Sequence, residues 1–233
     1  MTVAYQGVIF GAVEAFGLFQ NPYTRADGTS GTYILTQLET DGARRIIPCL
    51  DDPSLKANFT VSLISDQSHT LLSNMDVSSE SRVGDKKKVT FHKSPPMSTY
   101  LLAVAIGELN YIESTDFHVP VRVYAVPNEN LDWARYSLGV AVQGVKQIEQ
   151  ALSVRFTLPK IDHVAVSGGS FGGMENWGLI TIERDLLLIN ADDTTLEWKQ
   201  LAAEIVLHEL AHMWFGDLVT MEWWTQIWLN EGL

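Results

Sequence analysis

A single cysteine, Cys49, stands among 233 residues. One thiol excludes an internal disulfide and any zinc site built from several cysteines. Cys49 itself reads as a small buried apolar side chain. Basic residues are also scarce. Lys and Arg number 16 against 28 Asp and Glu, a net charge of −12. That balance argues against nucleic acid and against anionic membrane surfaces as partners. It suits either plain solubility or a cationic ligand, for example one carrying a free amine. No apolar run reaches the length of a transmembrane helix. The apolar opening MTVAYQGVIFGAVEAFGLF lacks a basic leader and is broken by Gly7, Gly11, Glu14 and Gly17, so no signal peptide is expected. Internal repeats and low-complexity tracts are missing as well. Asn58-Phe59-Thr60 matches a glycosylation sequon, but it sits in the strand-like run NFTVSLI, where chance explains it.

What is present is an ordinary globular balance, 46% hydrophobic and 19% charged. The first half reads as β. TYILTQLET, ANFTVSLIS, KKVTFHKS, YLLAVAIGELNYIES and VPVRVYAVP are short runs rich in β-branched and aromatic residues. The turn signals DDP, SNMD, RVGD and SPP separate them, which suggests an antiparallel sheet domain. Lys86–Lys88 reads as a solvated strand end. The second half changes period. NLDWARYSLGVAVQGVKQIEQAL has helical spacing, with Asp132 in its first turn. IDHVAVS reads as a strand, SGGSFGGMENWG as a glycine-rich connection, and GLITIERDLLLI as a strand pair or hairpin. Asp192, Asp193, Thr194 and Thr195 are positioned to cap a long helix, LEWKQLAAEIVLHELAHMWFG, with Gly216 as its stop. DLVTMEWWTQIWLNEGL leads towards a further helix. The change of period puts a domain boundary near residues 117 to 120.

The long helix carries HELAH. Four residues turn a helix by about 400°, so His208 and His212 share one face, one turn apart. Their imidazoles can converge on one ion, while Glu209 points elsewhere on the helix and can reach a water held by that ion. The plainer alternative is a helix with two hydrogen-bonded histidines. Two features favour the ion. The surrounding AAEIVLHELAHMWF is almost wholly apolar, and burying His and Glu there is costly without compensation. Glu231 in WLNEG, with eighteen residues between it and His212, supplies a carboxylate from the next helical segment. Two His and one Glu form a known catalytic zinc ligand set, with an open fourth position.

HELAH, with WLNEG eighteen residues beyond its second histidine, resembles the zinc aminopeptidase family that includes aminopeptidase N and puromycin-sensitive aminopeptidase. GGMENWG at 172–178 is similar to that family's G-x-M-E-N exopeptidase motif. PPMSTYLLAVAIGEL, VPVRVYAVP and LVTMEWW also look like family segments, and the likeness runs from about Gly31 to Leu233. The resemblance implies a two-domain α+β fold: residues 1–118 as an antiparallel, saddle- or sandwich-like β-sheet domain and residues 119–233 as the start of a thermolysin-like catalytic domain. It also implies that the chain is incomplete at both ends. The family's oxyanion-stabilising tyrosine would lie after residue 233. Where the family often has Tyr-Arg-Glu after GLIT, this chain has Ile182-Glu183-Arg184.

The resemblance assigns roles. One Zn²⁺ per chain would be held by His208, His212 and Glu231, with Glu209 as general base. Glu175 and Glu39 would fix the free amine of a peptide, since a desolvated ammonium needs carboxylates or carbonyls beside it. Gly172, Gly173, Met174 and Asn176 would line the substrate, pairing with its backbone as an edge strand does. The partners implied are peptides with a free N-terminus, cleaved one residue in. A truncated, weakly active or inert peptide-binding remnant is the second reading, and epoxide hydrolysis a third that no residue specifically supports. Localisation is read as cytoplasmic. Trp214, Phe215, Trp223, Trp224 and Trp228 read as core packing around the helices. Asp217 and Glu222 are candidates for orienting the ligating histidines. His69, His92, His118 and His163 lack metal spacing.

Overall fold

A computed structural model of the chain describes residues 2–168 and 172–232. The strands of the first half are, in order, β1 (Phe10–Gly11), β2 (Gly17–Thr24), β3 (Ser30–Gln37), β4 (Ser62–Asp66), β5 (Thr70–Ser73), β6 (Val77–Val83), β7 (Lys86–Phe91) and β8 (Val104–Gly107). They are followed by β9 (Asn110–Ser114), β10 (Val121–Ala125), helix α1 (Arg135–Leu152), β11 (Ile161–Val166), β12 (Gly173–Met174) and β13 (Leu179–Glu183). Helices α2 (Arg184–Leu187), α3 (Leu196–Ala211) and α4 (Trp228–Glu231) complete the series.

These strands build three sheets. The first has the order β1-β2-β3-β8-β5 and is antiparallel apart from the short parallel pair β1–β2. Alternation fixes its inner face: Phe19 and Tyr23 of β2 and Tyr33 and Leu35 of β3 are buried. The second sheet, β4-β7-β6, is a small antiparallel layer whose β6–β7 hairpin turns at Gly84, where φ is +65°. The third sheet, β12-β13-β11-β10-β9, is mixed, with β10, β11 and β13 parallel. Parallel strands covered by helices are apolar on both faces, and β11 is buried at every position. Helices α1 and α3 pack against one another. Gly144 lets them approach, because a Cβ there would sit 2.2 Å from Leu207 Cδ2. The main core, including Val123, Val145, Ile180, Ile182 and Leu210, fills the space beneath them. The fold is therefore two-part α+β, sheets first and a mixed sheet with helices second.

The change of sheet precedes the change of period. The chain leaves the first sheet at Gly107 and enters the third at Asn110, ahead of residues 117–120. Two local expectations need correction. GLITIERDLLLI is a strand followed by a short helix rather than a strand pair. Arg184, paired with Glu129 through two nitrogens, starts the turn, and Leu186 and Leu187 are buried. The long helix ends at Ala211, so His212 is its C-cap and not an interior residue. There Met213 N and Trp214 N bond to Leu210 O and Ala211 O, three residues back, which tightens the last turn. Gly216, at φ +124°, completes the exit. Thr195 is the cap at the other end, accepting from Trp198 N at 3.2 Å. Residues 169–171 of the glycine-rich connection lie outside the described residues. No helix among the described residues is long and apolar enough to cross a membrane.

Candidate metal and peptide site

The last turn of α3 and the short α4 bring three donor atoms together. His208 Nε2 and His212 Nε2 are 3.0 Å apart. Glu231 Oε2 lies 3.2 Å from the first and 3.4 Å from the second. A tetrahedral ion with bonds of about 2.0–2.1 Å separates its donors by roughly 3.3–3.4 Å. The triangle therefore has the size of one face of such a coordination shell. The ring orientation fits too. His212 Nδ1 lies 2.8 Å from Phe215 O, and a carbonyl can only accept, so Nδ1 carries a proton and Nε2 is the nitrogen that faces Glu231. Hydrogen bonds from His208 and His212 hold the Glu231 carboxyl down to about 2. Burial opposes a charged His212, but the bond to Glu231 and the nearby Glu175 and Glu209 outweigh it and push the ring up to about 10.

Glu209 follows His208 on α3 and is buried. The backbone of β12 runs against it: a Cβ at Gly173 would stand 2.2 Å from Glu209 Oε1. Only glycine leaves room there. Its other oxygen, Oε2, has no hydrogen-bond partner among the described residues. Burial, reinforced by Glu175, pushes this carboxyl well above the ordinary range.

A second cluster adjoins the first. One oxygen each from Glu39, Glu175 and Glu231 lie within 4.8 Å of one another. Glu39 arrives from the end of β3, and Glu175 from the segment after β12, so two sheets meet here. Burial and the charges of Glu175 and Glu231 push Glu39 up to about 8. Burial raises Glu175 as well, and its Oε1 has no partner among the described residues. Several carboxylates packed this closely favour a cation between them. Gly172, at φ +69°, turns the chain into β12. Met174 is buried, and its sulfur lies 3.3 Å from Gln37 Nε2. Asn176 is fully buried, with neither amide atom partnered among the described residues. β12 forms the sheet's edge, with no further strand paired to its outer side among the described residues.

Other expectations fare unevenly. Neither Asp217 nor Glu222 orients a histidine. Asp217 is fully buried with both carboxyl oxygens unpartnered among the described residues, and Glu222 is exposed. The Phe215 carbonyl orients His212 instead, and a backbone acceptor leaves no mark in a sequence. Trp214, Phe215 and Trp224 pack on the core, whereas Trp223 and Trp228 are 46% and 57% exposed. Sequence reasoning passed over Tyr100 and Asn230, both buried and hydrogen-bonded to each other beside the ligands. A polar Asn directly before a candidate ligand in the apolar WLNEG was the available signal.

Residues 136–233 match the peptidase family M1 domain, and residues 1–101 match the peptidase M1 N-terminal domain. Aminopeptidase 2, mitochondrial, of Saccharomyces cerevisiae is 50% identical over 84% of this chain and 21% of its own length. The alanine/arginine aminopeptidase of the same yeast is 42% identical over 97% of the chain and 27% of its own length. The puromycin-sensitive aminopeptidase of Caenorhabditis elegans is 43% identical over 93% of the chain and 23% of its own length. The chain thus spans about a quarter of the length of these relatives.

Proposed function

The chain belongs to peptidase family M1, and on that premise we propose that it is a zinc-dependent aminopeptidase releasing single N-terminal residues from peptides. The observation that carries this reading is the donor triangle of His208, His212 and Glu231, with edges of 3.0–3.4 Å. Its size and its set of two imidazole nitrogens and one carboxylate oxygen fit a zinc ion. Bound there, zinc supplies Lewis-acid polarisation of a carbonyl and acidifies water.

The chain's own residues do the rest. Glu209 takes a proton on Oε2 during attack and returns it to the leaving amine. A desolvated carboxyl, raised above its usual range, suits that exchange. Glu39 and Glu175 hold the substrate ammonium, and their spacing to Glu231 supports a cation at that point. Anchoring the terminus there brings the first peptide bond to the ligands and keeps later ones away. The edge strand β12, at Gly173 and Met174, pairs with the substrate backbone. We take the cytoplasm as the place of action.

The experiment is zinc stoichiometry together with turnover of an alanyl-arylamide, for the parent and for Glu209→Gln. The expected result is one zinc in both proteins, with turnover about 10²–10⁴-fold lower in the variant. Parental turnover by a zinc-loaded Glu209→Gln protein sinks the base assignment. A parent that takes up zinc without turning the substrate over favours the peptide-binding reading.

A further inference from the structure

The three donors come from two elements that meet, in the site itself, through the contacts of Glu231 with the two histidines. His208 rides on α3, a helix of sixteen residues, and His212 caps its end, but Glu231 stands on α4, a helix of four. A helix that short does not hold its own position in water. Something must fix α4 against the end of α3.

The contacts converge on Tyr100. This residue lies in the single turn Thr99–Leu101 of the N-terminal half and is buried. Its hydroxyl accepts from Asn230 Nδ2 at 3.2 Å and donates to Gly216 O at 3.3 Å. Asn230 immediately precedes Glu231. Gly216 belongs to the turn that leaves α3 after His212. Asn230 also accepts from Met221 N through Oδ1 at 3.2 Å. The gap above Gly216 is bounded by His212 Nδ1 and Asn230 Nδ2, which a Cβ would meet at 3.1 and 3.5 Å. Trp224 packs edge-on against the Tyr100 ring, with centroids 5.1 Å apart.

We infer that the Tyr100 hydroxyl, acting through Asn230, is a positioning group that sets the third metal ligand, Glu231, against the two histidines. The inference rests on the zinc reading above for its functional meaning. The coupling of Tyr100 to α4 stands on geometry alone. The hydroxyl joins the turn behind one ligand to the residue beside another, so a donor triangle built from separate helices keeps one size. A residue of the N-terminal half thereby takes part in the metal site without touching the ion.

Tyr100→Phe is the test, because it removes the oxygen and keeps the ring. Asn230 Nδ2 then loses its partner, while Gly216 O keeps the Thr220 hydroxyl. Two measurements on the parent, Tyr100→Phe, Asn230→Ala and the double variant decide the matter. The first is amide hydrogen exchange of the zinc-free chains. Faster exchange confined to residues 228–232, with α3 unchanged, is expected for Tyr100→Phe. The second is the zinc dissociation constant by chelator competition. It is expected to rise about tenfold or more, with the double variant no worse than Asn230→Ala alone. Parental exchange in α4, a uniform rise across the fold, or additive losses in the double variant each overturn the inference. A parent that binds no zinc sinks the zinc reading instead, and the exchange comparison still decides the coupling.

Discussion

At the scale of single residues, the site depends on close approaches that leave little tolerance. Gly173 is the tightest: any side chain there enters the space of the Glu209 carboxylate. Gly173→Ala should lower kcat/KM by about 10²-fold, since small misplacements of a reacting group have that effect. Unchanged zinc content alongside the lost rate would locate the damage at Glu209. His163 offers a stability readout remote from the site. It is fully buried in β11, bonded through Nδ1 to Arg122 O, and burial lowers its pKa from 6.5 to about 4. The unfolded chain therefore binds a proton here that the folded chain refuses between those values. Stability rises with pH across that window and is lost as pH falls from about 6.5 to about 4. The full effect is about 3 kcal/mol. Urea unfolding of the parent and His163→Asn at pH 7 and pH 4.5 should show a markedly smaller acid loss in the variant. Equal losses would contradict the assignment.

At the scale of elements, one cap and one turn can be tested directly. Thr195 caps α3 through its hydroxyl, and Thr195→Ala should destabilise the chain by about 1 kcal/mol, measured by denaturant midpoint. Gly178 turns the chain between the Glu175 segment and β13 at φ +82°, where a Cβ would meet Asn74 O at 2.5 Å. Gly178→Ala forces backbone to move and should cost more than the loss of a cap. Elements with a clear composition or period were legible in the sequence: β3, β7 and β11 lie within or beside runs rich in β-branched residues, α1 lies where helical spacing runs, and α3 begins at Leu196 as read. Others were hidden for physical reasons. β6 is exposed at every residue, so VSSESRV has no apolar face to announce it. β2 alternates in burial, but one of its inward positions is the polar Asn21, which bonds to Ser167 O, and Pro22 follows it, so the residue types of GLFQNPYT hide the alternation. The end of α3 is hidden because Met213, Trp214 and Phe215 continue the apolar pattern, while the turn after His212 tightens through backbone bonds that residue types do not announce.

At the scale of the whole molecule, the motif residues were readable one by one, but their meeting was not. Glu39 and Glu175 lie far apart in sequence and come together only because β3 and β12 end at the same place. Tyr100 joins that junction from a third direction. A bound ion would then tie the α3 end to α4 and, through Tyr100, to the first half of the chain. Ligands that bind only the folded state stabilise it by mass action, by about 4 kcal/mol at a thousandfold excess over Kd. Chelation should therefore lower the thermal midpoint and make it depend on added zinc, with magnesium unable to substitute. A midpoint indifferent to chelator would count against metal at this site. The meeting of Gly173 with Glu209 also constrains how the protein could change over generations. A library randomised at codon 173 and selected for turnover should return the parental amino acid almost alone, whereas one randomised at exposed Trp228 should return a broad mixture.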